Sequence, residues 1–156
     1  MTRKLPLLLS ALVLIAAPLC AKSFTPKENT HAAIKAYVVA AARHVARYGP
    51  DCAAFAKPEW RSGDYYIFVD APDNTTLCHP NASLIGKNSD EIKDVNGKSV
   101  GIAIREAAAK EGGGWADYMW PRPGTDTPVQ KSTFVTKVKA PDGKTYVVGS
   151  GGYEVK

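Results

Sequence analysis

The chain has 156 residues, room for one domain of ordinary size, with a formal net charge of +5 and 45% hydrophobic residues. Its Lys and Arg are spread along the sequence without a basic block, which argues against a nucleic-acid partner, because such a partner calls for concentrated positive charge. The apolar residues are partitioned: seven of the nine leucines lie between Leu5 and Leu19, and all fourteen aromatic residues lie at Phe24 or later.

The leucine-rich segment reads as a secretory signal. Arg3 and Lys4 form a basic start, Leu7 to Ala17 an apolar run, and Leu19-Cys20-Ala21 a small-residue cleavage site. The alternative is a retained anchor, for which the run from Leu5 to Ala21 stands at the lower limit of a spanning helix. Residues 1–21 are therefore expected to be a cleaved signal, and residues 22–156 one exported domain, periplasmic or secreted, or membrane-tethered if uncleaved. Cleavage removes Cys20 and leaves Cys52 and Cys78, an even pair that is a disulfide candidate in an oxidising compartment. Two separately buried thiols are the alternative.

Thr25-Pro26-Lys27-Glu28 carries the pattern of a helix start, with Thr25 as cap and Glu28 closing a capping box. Ile34, Val38, Ala41, Val45 and Tyr48 follow as one helical stripe, and Gly49-Pro50 ends it. Tyr65 to Val69 and Thr75 to Cys78 read as a hairpin around Ala71-Pro72-Asp73-Asn74. Ser99 caps a second helix reaching Lys110, stopped by Gly112-Gly113-Gly114. Trp115 to Trp120, Lys131 to Lys139 and Thr145 to Ser150 complete the strands, the last two joined by Pro141-Asp142-Gly143. Hairpin connections make the sheet antiparallel with helices segregated to its surfaces, an α+β layout.

Enzymatic chemistry finds little support. Adjacent strand residues point to opposite faces, so Cys78 and His79 would diverge. His31, His44 and His79 lack zinc-ligand spacing, the glycines at 112–114 lack the residues of a phosphate loop, and no nucleophile elbow occurs. Asp70, Asp73, Asp117 and Asp126 fall at strand ends or turns, where solvated acids are usual. No enzyme activity, metal or cofactor is expected. A pocket is better supported. Tyr118 and Trp120 share one face of their strand, as do Tyr66 and Phe68 of theirs, and polar-tipped aromatics are common pocket linings. His79, Arg122 and Lys131 are near in sequence and suited to holding an anion, Arg122 with two parallel hydrogen bonds. Packing of the core is the competing role for each aromatic residue.

The run Tyr66-Ile67-Phe68-Val69, Asn74 to Asn81, Leu84-Ile85-Gly86-Lys87-Asn88, Gly112-Gly113-Gly114-Trp115, Tyr118 to Pro121 and Val147 to Gly151 resembles the single Cache domain family. These are extracytoplasmic sensor modules of bacterial chemoreceptors and histidine kinases, and some stand alone as exported proteins. The resemblance covers Thr25 to Val155. It implies a PAS-like fold, a long N-terminal helix on a five-stranded antiparallel sheet that cups a small organic acid. The implied ligand-facing positions are Tyr66, His79, Tyr118, Trp120 and, less directly, Arg122 and Lys131. Cys78 stands where alanine is frequent, which fits a bridge to Cys52. With no output domain before Lys156, a signal would pass through a partner such as a membrane receptor or histidine kinase. The rival reading is an interaction module that docks on a membrane receptor without a small ligand.

Overall fold

The structure is a computed structural model that describes residues 23–156. The expected signal segment lies outside the described residues. Helix α1 spans His31–Tyr48 and is capped by Thr30, whose Oγ1 accepts from the Ala33 N–H. The expected cap at Thr25 is thus displaced by one and a half turns. The reason is tertiary: Phe24 stacks on Trp60 with ring centroids 4.1 Å apart, and the Asn29 side chain bonds the Tyr153 carbonyl and the Tyr65 hydroxyl. These contacts hold residues 24–29 out of the helix despite their favourable local chemistry. Ile34, Val38, Ala41 and Val45 form the buried stripe. Tyr48, expected to end that stripe, is 59% exposed, and Tyr37 is buried instead.

Five antiparallel strands follow the order β2-β1-β5-β4-β3, with β1 Phe68–Asp70, β2 Thr76–Cys78, β3 Gly114–Pro121, β4 Pro128–Lys139 and β5 Thr145–Tyr153. α1 crosses β4 and β5 on one face, together with the short helix α2 (Cys52–Phe55). α3 (Val100–Ala108) lies over β3 and β4 on the other, and Ser99 Oγ caps it by accepting from the Ile102 N–H, as expected. Period-two alternation sorts the side chains: Ile67, Val69, Phe134 and Val148 join the α1 core, whereas Tyr66, Phe68, Tyr118 and Val135 join the α3 core. The fold is the α+β, PAS-like arrangement. Two turns of 3-10 helix, Ala82–Leu84 and Ser89–Glu91, run between β2 and α3.

Cys52 and Cys78 are bonded, tying α2 to β2 across 26 residues. Cys78 belongs to the α1 side of the sheet, while His79 turns toward Tyr66 on the opposite side. Among the described residues no helix is long and apolar enough to cross a membrane.

Candidate ligand-binding site

The α3 side of the sheet carries an ordered row. Register places Tyr118 of β3 beside Lys131 of β4, and Lys131 beside Tyr153 of β5. Tyr66 reaches the same place from just before β1. Lys131 is 1% exposed; its Nζ donates to the Tyr66 hydroxyl at 2.7 Å and lies 4.2 Å from the centre of that ring. The long stem fits because β5 carries a glycine two residues before Tyr153: a Cβ on Gly151, the partner of Thr133, would come within 2.9 Å of Lys131 Cε. Among the described residues no carboxylate stands at ion-pair distance from this ammonium. Burial therefore lowers its pKa from 10.5 to about 7, and the distant Asp64 pulls only weakly the other way.

Hydroxyl donors surround it. Thr133 Oγ1 donates to the Tyr118 hydroxyl at 2.9 Å, which leaves the Tyr118 proton available, while the Tyr66 hydroxyl accepts from Lys131 and also interacts with Tyr153 and Trp120. Burial raises the pKa of both phenols, so both stay protonated and act as donors. His79 stands edge-on to Tyr66 with centroids 5.1 Å apart, and 6.2 Å from Trp120. Its Nδ1 accepts the Asn81 N–H at 2.9 Å, which puts the proton of the neutral ring on Nε2. Burial first, and then the charge of Lys131, lower its pKa to about 4.

Among the spaces these groups border, two share a wall. An inner cavity of about 30 Å³ lies between the sheet and α3, with Tyr66, Phe68, Asp70, His79, Tyr118 and Trp120 in its wall. An outer cleft of about 410 Å³ shares Tyr66, His79 and Trp120 with it, so these three rings form the partition between them. Lys131 is not in the cavity wall and acts on it through Tyr66. Arg122 lies in the outer cleft, where Asp64 and Glu154 both bond its guanidinium and Tyr153 stacks 4.7 Å beneath it. The structure thus gathers Tyr66, His79, Tyr118, Trp120 and Lys131 and leaves Arg122 apart, occupied by acids of the chain itself.

One group escaped the sequence reading. Asp70 was expected to be solvated, yet it is 5% exposed, and its Oδ1 has no hydrogen-bond partner. Burial raises its pKa from 3.8 to about 6, against the pull of Thr76 and Ser89 beside it. Local sequence shows a strand end before Ala71-Pro72. The cover comes from the Ser89–Glu91 turn and α3, which are distant in sequence. The one available signal was periodicity, since Asp70 falls on the same face as Tyr66 and Phe68.

Known proteins share the sequence pattern and the fold. The Cache domain model matches residues 57–156. The chain is 37% identical over 91 residues to the sensor histidine kinase MctS of Rhizobium johnstonii, and 30% identical over 91 residues to the methyl-accepting chemotaxis protein McpP of Pseudomonas putida. Each match covers 58% of this chain but only 19% and 16% of those longer proteins. A solved periplasmic sensor domain of a chemotaxis protein superposes with a TM-score of 0.62 at 32% identity, over 79% of this chain and 94% of that one. With a matching family model over most of the domain and a like-sized solved relative, the chain belongs to the Cache domain family.

Proposed function

We propose that this domain is an extracytoplasmic receptor for a short carboxylic acid, which it binds between the sheet and α3 and reports through a partner protein. The observation that carries this reading is the buried Lys131 ammonium without a carboxylate counterpart, linked to the cavity by the Tyr66 hydroxyl. A buried cation lacking an opposite charge is costly, and an arriving carboxylate offsets that cost. Tyr66, Tyr118 and His79 Nε2 supply neutral donors for the carboxylate oxygens, and Trp120 supplies apolar cover. The inner cavity of about 30 Å³ admits even a short acid only when the Tyr66, His79 and Trp120 partition moves. Export through residues 1–21, and a membrane receptor or histidine kinase as partner, complete the reading. Among the described residues the exposed large apolar side chains are Tyr48, Ile85, Val95 and Ile102, of which only Tyr48 lies on α1, so that helix offers no apolar docking stripe beyond its buried one.

Calorimetric titration with acetate, propionate, butyrate, lactate and pyruvate tests the proposal. At least one acid is expected to bind and raise the melting temperature, with Lys131→Met and Tyr66→Phe weakening it. Binding that survives Lys131→Met undiminished would remove the ammonium from the site.

A further inference from the structure

The cavity has a second polar end that the acid-binding groups do not use. Asp70 Oδ1 is buried and unpartnered, and the side chains of Thr76 and Ser89, 4% and 6% exposed, line the same space. The neighbouring Asp90 offers no compensation, because it is itself a carboxylate and is held by Arg105 and Asn74. No Lys, Arg or His pairs with Asp70 among the described residues. Nor does any group of three His, Cys, Asp or Glu there offer a metal site. A buried acceptor of this kind is destabilising unless something donates to it. Burial raises its pKa to about 6, and hydrogen bonds from Thr76 and Ser89 only partly oppose the rise.

We propose that Asp70, Thr76 and Ser89 form a subsite for a hydrogen-bond donor at the far end of the ligand, so that the domain prefers acids bearing a terminal hydroxyl or ammonium. The placement follows from the strand. Asp70 lies four residues beyond Tyr66 on the same face and both line the inner cavity, so they can meet different ends of one ligand. Phe68, between them, contacts the methylene chain. This inference rests on the carboxylic acid reading and deepens it.

The test is calorimetry on the whole domain with matched ligands: propionate, β-hydroxypropionate and β-alanine, then butyrate, γ-hydroxybutyrate and γ-aminobutyrate. At least one donor-bearing member is expected to bind roughly tenfold tighter than its plain partner, the scale of one hydrogen bond to a charged group. Asp70→Val should erase that difference. Asp70→Asn separates the two donors, since its amide still accepts from a hydroxyl but no longer attracts an ammonium. Thr76→Val and Ser89→Ala, on separate elements, narrow the same difference and keep the test available if Asp70→Val does not fold. Equal affinity for plain and donor-bearing acids, or a preference that persists in Asp70→Val, overturns the subsite alone. Failure of every acid to bind overturns the carboxylic acid reading and the subsite together.

Discussion

Asp70 and His79 share a cavity wall but respond oppositely to acid. The folded pKa of Asp70, about 6, lies above its ordinary 3.8, so the folded state takes up a proton first and gains stability as pH falls from 6 to 4. For His79 the folded value of about 4 lies below 6.5, so the unfolded state takes up the proton first and stability falls over the same interval. The two nearly cancel. Urea denaturation of Asp70→Asn should therefore show a steeper loss of stability toward pH 4 than the parent protein, by up to about 3 kcal/mol. His79→Gln should deviate in the opposite direction, and parallel profiles for all three proteins would refute the assignment. Lys131 governs another interval. Its depressed pKa makes the unliganded domain gain stability as pH rises from 7 toward 10, a gain that Lys131→Met should abolish. A bound carboxylate favours the ammonium, so binding near pH 8 should take up protons. Titration in buffers of different ionisation enthalpy reads this directly.

At the scale of elements, β5 matters through what it lacks. A Cβ at Gly149 would stand 2.3 Å from the Phe68 ring and 2.6 Å from Val135 Cγ1. Gly149→Ala is expected to destabilise the domain by about 1–3 kcal/mol in chemical denaturation, through overpacking of the α3 core. Strands β2 to β5, the Ser99 cap and the alternation of Tyr66 with Ile67 and of Tyr118 with Met119 were legible because they depend on neighbours in sequence, whereas β1 starts at Phe68 and not at Tyr65. The start of α1 was not, because Phe24 and Asn29 are held by Trp60 and Tyr153, and long-range contacts override a local capping signal. The same limit hid Asp70 beneath the Ser89–Glu91 turn. It also hid the fate of Arg122: its sequence neighbours, Pro121 and Pro123, say nothing of Asp64 and Glu154, which the fold brings to it.

At the scale of the molecule, the Cys52–Cys78 bond fastens the residue immediately before His79 to α2. Replacing both cysteines by serine should cost about 3.5 kcal/mol, the loop-closure value for a bridge of this span, and lower the melting temperature. The small inner cavity also implies that ligand entry shifts the Tyr66, His79 and Trp120 partition. In a Trp60→Phe, Trp115→Phe background, the fluorescence of Trp120 should change on addition of a binding acid. An unchanged spectrum at saturation would mean that the partition does not move.

The two ends of the folded unit are fastened to each other. The Lys156 N–H donates to the Asn29 carbonyl and the His31 N–H to the Lys156 carbonyl, while Asn29 Nδ2 also holds the Tyr153 carbonyl, one residue row from the buried lysine. The domain is in effect a nearly closed ring. A circular permutant that joins residue 156 to residue 23 through a flexible linker, so keeping Phe24, and opens at the Asp142-Gly143 turn should therefore fold and keep its binding site. In any longer chain, a segment following Lys156 would leave from beside Asn29 and the strand that carries Tyr153, whereas one preceding Ser23 would leave from beside Glu59 and Trp60.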